Sequence, residues 1–144
     1  MSWRLSIAAL AGLGFCVWAG SAVVGAAEET EQKPYTIKDG KVDQHTYNGW
    51  RRYTESCLRC HGPDGSGSSY APDLTQSLKS MSEDQFKETV VNGRTNVSAS
   101  ADNVMPPFGT VEDVMDYLDD IYAYLKARSD GVLGRGRPQR FEQK

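Results

Sequence analysis

The sequence predicts an all-α domain with long loops. Helical signatures recur along the chain, two of them strong, and no segment holds a sustained two-residue alternation. Val114, Tyr117, Leu118, Ile121, Tyr124 and Leu125 fall at i, i+3, i+4, i+7, i+10 and i+11, so a helix over residues 111–128 gathers them on one apolar face. Ser82 and Gln85 have the spacing of a capping box, Met81 and Phe86 stand at the staple positions, and Gly93 supplies a stop. A second helix is therefore expected over residues 82–92.

The other elements follow in order. Residues 1–27 hold a single charge, Arg4, then an apolar stretch, then the small residues Gly25-Ala26-Ala27 ahead of the acidic Glu28-Glu29. That is the layout of a secretory signal peptide cleaved after Ala27, against the alternative of a retained anchor. Cys16 follows bulky Phe15, unlike a lipid-attachment cysteine, and is expected to leave with the leader. Residues 28–41 are polar, contain Pro34 and read as an extended lead-in. Tyr47, Trp50 and Tyr53 mark a helix within residues 42–56. Residues 62–70 are a Gly/Ser-rich loop closed by Ala71-Pro72-Asp73-Leu74, and residues 94–110 read as irregular. After the last helix, Gly131, Gly134, Gly136 and Pro138 mark residues 129–144 as a basic, flexible tail. The domain proper is then residues 42–128.

Composition narrows the function. Loss of Arg4 with the leader leaves 15 Lys+Arg against 19 Asp+Glu in the 117 remaining residues, a net charge of −4. Such a chain lacks the basic surface of a nucleic-acid binder. Two cysteines remain, too few to frame a small secreted domain with disulfides. Something else must complete a core of this size.

Those two cysteines lie in Cys57-Leu58-Arg59-Cys60-His61. Offsets of three and four residues project to one side of a helical turn. Two thiols so disposed can form thioethers with the two vinyl groups of one porphyrin and carry the adjacent imidazole under the iron. The run is the c-type haem attachment signature. A structural zinc site would need about four ligands, and the exported chain has two cysteines and two histidines, with His45 outside the pattern. A thioredoxin-like pair is expected near a βαβ pattern, and a plain disulfide gives His61 no role. His61 supplies one axial bond. Of Met81, Met105 and Met115, the first belongs to the staple and the last to a helix, whereas Met105 precedes Pro106-Pro107, which stiffen the backbone beside it. Met105 is therefore the expected sixth ligand, and His/Met ligation is an electron-transfer arrangement.

With these residues in view, residues 42–128 resemble the class I cytochromes c. Gly49 and Tyr53 precede Cys57 at that family's spacing, and Tyr124-Leu125 look like the aromatic pair of its C-terminal helix. The resemblance implies a few helices wrapped around one covalent haem, with Gly49 admitting an aromatic ring where the terminal helices cross. It also implies that the carbonyl of Pro72 accepts a hydrogen bond from His61 Nδ1, orienting the ring. Tyr47-Asn48-Gly49-Trp50-Arg51-Arg52-Tyr53, Val91-Asn92-Gly93-Arg94, the run from Asp119 to Arg128 and Gly134-Arg135-Gly136-Arg137-Pro138 are similar to methanol-metabolism-related cytochromes c of methylotrophic bacteria. That narrower resemblance implies a periplasmic, non-enzymatic electron carrier. Its donor would be a quinoprotein (PQQ) methanol or other alcohol dehydrogenase, as for cytochrome c(L), and a further cytochrome or an oxidase would accept. Alternatives are a general respiratory cytochrome c and a haem-based sensor or enzyme with a labile sixth ligand.

Charge adds a weaker expectation. Glu112, Asp113, Asp116, Asp119 and Asp120 make the last helix acidic, and Arg135, Arg137 and Arg140 make the tail basic. A solvated helix face and a soluble tail explain this; a tail that docks a partner is the sharper alternative. Arg94 and Trp50 are candidate neighbours of the haem propionates.

Overall fold

The computed structural model describes residues 32–98 and 101–141. The leader, Cys16 and the cleavage point near Ala27 lie outside the described residues.

A short hairpin precedes the first helix. Strands β1 (Ile37–Lys38) and β2 (Lys41–Val42) pair antiparallel around Asp39-Gly40, both of which have positive φ. An Asp-Gly pair is suited to that turn because glycine carries no Cβ penalty and Asp tolerates the left-handed region. Asp43 then couples hairpin to helix. Its Oδ2 accepts from Thr36 N at 2.6 Å, and its Oδ1 accepts from Thr46 N at 2.7 Å, capping α1 (Gln44–Ser56).

Helix α2 (Leu58–His61) follows α1 with only Cys57 between them, and a single 3₁₀ turn, Pro63–Gly65, follows α2. Helix α3 (Leu74–Ser77) is capped by Asp73, which accepts from Thr75 N and Gln76 N. Helix α4 (Glu83–Asn92) has the expected capping box of Ser82 and Gln85 and ends at Gly93, φ +71°. Phe86 is buried and Met81 packs against the core beside it, as staple residues should.

Residues 94–110, expected to be irregular, instead open with an antiparallel hairpin of β3 (Arg94–Ser98) and β4 (Ala101–Met105), in register from Arg94↔Met105 to Ser98↔Ala101. Its Asn, Asp and Ser content conceals the strands, because these residues are poor strand formers and mask any alternation.

The last helix is also divided. Helix α5 (Glu112–Met115) ends before Tyr117, which sits at φ −118°, ψ 20°, and α6 (Leu118–Ser129) begins after it. The Tyr117 ring lies beneath the Arg52 guanidinium at 4.5 Å. Helix α6 packs chiefly on α1, and its buried side includes Leu118, Ile121, Tyr122, Tyr124 and Leu125. Phe86 of α4 meets Tyr122 with ring centroids 5.4 Å apart, and Tyr53 of α1 meets Tyr124 at 5.6 Å.

The segment expected as a flexible tail is packed against the domain through residue 141. Leu133 and Pro138 are buried, Arg137 lies over Trp50 at 5.5 Å and donates to Tyr47 Oη at 2.6 Å, and Arg140 stacks on Tyr47 at 4.8 Å. Val42 N donates to Gln139 O, and Phe141 N donates to Val42 O. Arginines that read as solvated charge find aromatic faces on α1, which are attractive platforms for guanidinium groups.

Candidate haem site

The attachment motif occupies one turn of backbone. Cys57 caps the end of α1 and the start of α2, and its carbonyl accepts from Cys60 N at 3.2 Å and from His61 N at 3.0 Å. Cys57, Cys60 and His61 thus share one backbone-bonded turn. Both cysteines are free and half-buried. Burial, reinforced by the neighbouring Cys60, pushes the Cys57 thiol up to about 11. A redox-active pair needs the opposite, a depressed thiol, so Cys57 does not suit the thioredoxin-like reading.

His61 is 7% exposed. Its Nδ1 lies 3.1 Å from Pro72 O. A carbonyl can only accept, so Nδ1 carries the proton and Nε2 keeps its lone pair. This is the tautomer that a metal ligand needs, held by the kind of outer contact that orients ligating histidines. Among the described residues, no group of three or more His, Cys, Asp or Glu side chains is arranged to hold a metal ion by itself. Two free thiols and one oriented imidazole on a single turn fit a covalently attached haem, whose porphyrin would supply four more iron ligands.

The loop from His61 to Pro72 is closed by named contacts. Gly67 N donates to His61 O at 2.8 Å, Ser68 N donates to Ala71 O at 2.9 Å, and Ser68 Oγ donates to Cys60 O at 2.5 Å. Gly62 (φ +72°) has no room for a side chain, since a Cβ there would lie 2.2 Å from Gly67 O. Tyr53 braces the same loop from α1. Its hydroxyl donates to Gly62 O at 2.5 Å and accepts from Gly65 N at 2.9 Å. Asp64 braces it from the other side, accepting from Gly136 N at 3.0 Å, Tyr124 Oη at 3.4 Å and Arg135 Nε at 3.3 Å. The bracing by Asp64 and Ser68 was not anticipated; only the capacity of Asp and Ser for local hydrogen bonds hinted at it.

Met105 lies on a different part of the chain, at the end of β4, half-buried and packed against the same hydrophobic core as Cys57. The backbone around it is pinned on both sides. Gly93 approaches so closely that a Cβ would lie 2.5 Å from Met105 O, and Phe108 N and Gly109 N donate to Val90 O and Val91 O of α4. Met81 and Met115 are half-buried too, so burial does not separate the three. Trp50 is engaged by Tyr47 and Arg137, whereas Arg94 is exposed.

Where α1 crosses α6, Gly49 meets the backbone of Asp120 and Ile121 rather than an aromatic ring. Asp120, expected on a solvated face, is buried, and its carboxylate meets His45 Nδ1 at 2.9 Å and Asn48 Nδ2 at 3.1 Å.

Residues 44–125 match the family described as "Cytochrome C oxidase, cbb3-type, subunit III". The chain is 50% identical over 107 residues to cytochrome c-553I of Paracoccus denitrificans, covering 74% of this chain but only 47% of that longer protein. It is 47% identical over 96 residues to cytochrome c-555 of Methylococcus capsulatus, covering 66% of this chain and 72% of the relative. Among solved structures, the c-type cytochrome XoxG from Methylobacterium extorquens AM1 superimposes with a TM-score of 0.65 at 40% identity, over 79% of this chain and 76% of that one. No helix among the described residues is long and apolar enough to cross a membrane. With its helices, its attachment turn and these relatives in agreement, the chain belongs to the class I c-type cytochromes, mono-haem electron carriers that hold haem c covalently.

Proposed function

We propose that Cys57 and Cys60 attach the haem, that His61 and Met105 are its axial ligands, and that Pro72 orients His61. In this reading the chain is exported to the periplasm, its leader is removed near Ala27, and it accepts electrons from a PQQ-dependent methanol or other alcohol dehydrogenase. A downstream cytochrome or oxidase receives them.

The observation that carries the site assignment is the 3.1 Å contact from His61 Nδ1 to Pro72 O on the same turn as two free thiols. It leaves Nε2 as the coordinating atom. Haem c supplies a one-electron iron couple. The chain's own part is to hold the imidazole at a fixed tautomer and to offer a thioether from a braced segment. With both axial positions filled, no site is open to substrate, which favours a carrier over a catalyst.

The donor assignment rests on the similarity of the α1, α4 and α6 flanks to methanol-metabolism-related cytochromes. The test is to mix the purified cytochrome, in catalytic amounts, with the dehydrogenase and its alcohol. Alcohol-dependent reduction of the haem is expected, and its absence would sink the partnership. The match to the family of cbb3-type oxidase subunit III favours a second reading, a respiratory carrier without dehydrogenase preference. Equal reduction by unrelated donors would support it.

A further inference from the structure

We propose that Asp64 is a positioning residue for His61, and that residues 130–141 form a strap acting through it. The proposal rests on His61 being the iron ligand, and concerns what keeps that ring in place.

Asp64 stands three residues beyond His61 in the turn that separates His61 from Pro72. It is a non-glycine residue at φ 60°, ψ 19°, a left-handed conformation that costs energy unless its surroundings impose it. The surroundings do so from two elements. From α6, Tyr124 Oη donates to Asp64 Oδ1 and Arg128 Nε donates to Asp64 O at 3.3 Å. From the strap, Gly136 N donates to Oδ1 and Arg135 Nε pairs with Oδ2. The Asp64 side chain is only 11% exposed, so these acceptors are largely withdrawn from water. Arg128 fastens the strap as well, because its Nη1 donates to Leu133 O at 2.5 Å.

The strap's arginines stay solvent-exposed, Arg135 at 68%, yet each contacts the domain. Arg135 is held by Asp64, Arg137 by Tyr47 and Trp50, and Arg140 by Gln44 and Tyr47. These contacts tie the strap to the domain along its length. On the inner side of the turn, Gly65, next in sequence to Asp64, is held by the Tyr53 hydroxyl, and Gly67 closes onto His61 O. The turn is thus gripped between α1 on one side and α6 with the strap on the other. Release of the Asp64 side loosens the path between His61 and Pro72, and with it the bond that orients the ring.

The experiment compares holo Asp64→Ala and Asp64→Asn proteins with wild type. In the reduced, diamagnetic protein, NMR follows exchange of the His61 Nδ1 proton, and a redox titration gives the midpoint potential. Asp64→Ala should exchange that proton at least about tenfold faster and shift the potential upward, because a less firmly tethered imidazole is a weaker donor to iron. Asp64→Asn keeps one carbonyl acceptor for Gly136 N and Tyr124 Oη and tolerates the left-handed backbone, but loses the Arg135 pair, so it should fall between wild type and Asp64→Ala. A chain ending at Gly131 should follow Asp64→Ala. Wild-type exchange or wild-type potential in Asp64→Ala overturns the proposal. An unchanged haem spectrum in His61→Ala would instead overturn the ligand assignment, so the two failures are distinguishable.

Discussion

Gly49 and Asp120 touch backbone to backbone where α1 crosses α6. A Cβ built on Gly49 would stand 1.8 Å from the Asp120 carbonyl oxygen and 2.9 Å from Ile121 N. Neither obstacle is a side chain that can swing aside. Gly49→Ala should therefore force the two helices apart and lower stability by about 3 kcal/mol. Denaturant unfolding of the holo protein measures it, and a loss below the usual scatter between surface variants would contradict the crossing geometry.

The Tyr53 hydroxyl answers two buried backbone groups, Gly62 O and Gly65 N. Burial pushes its phenol far above the ordinary range, so it stays protonated and able to donate. Tyr53→Phe keeps the ring against Tyr124 but strands both groups, at about 2 kcal/mol. The same substitution should speed proteolysis within the Gly/Ser-rich loop, detectable by limited digestion.

His45 and Asp120 give the helix crossing a pH dependence. The hydrogen bond to Asp120, aided by its charge, raises the His45 pKa above the ordinary imidazole value. A folded pKa above the unfolded one contributes stability fully below about pH 6.5 and loses it as pH rises through the raised folded value. His45 has a side chain 74% exposed, so solvent screening keeps the contribution under about 1 kcal/mol. Between about pH 6 and pH 8, wild type should lose slightly more stability than His45→Gln, and parallel curves would rule the pair out as the cause.

Met105→Ala should abolish the far-red absorption that sulfur–iron ligation gives the oxidised state, whereas Met115→Ala should leave it intact. Reversal of that pattern would move the sixth ligand to α5. Ready carbon monoxide binding by reduced wild type would point to a labile ligand and the sensor reading.

Local signals were legible in the sequence and distant ones were not. The Ser82 capping box involves partners three residues apart and has the expected form, whereas the Pro72 carbonyl near His61 Nδ1 is expected from the family resemblance alone. The β3–β4 hairpin is hidden because its polar residues carry no alternation, and Tyr117, a regular member of the apolar face, gives no sign that the helix breaks there. The strap was misread for a different reason. Its glycines and arginines describe a solvated coil until the aromatic faces of Tyr47 and Trp50, about 90 residues away, are brought beneath them by α1. No composition rule contains that meeting.

The bridge at Val42, with Gln139 on one side of its peptide and Phe141 on the other, has a consequence for how the domain can be combined with others. Residue 42, near the start of the haem domain, and residues 139–141, beyond its last helix, thus lie side by side. A linker, an anchor or a second redox module can be spliced there without crossing the fold. Tension applied there would load the Val42 bridge together with the contacts of Lys33 and Tyr35 to Asp130, all of them outside the haem turn.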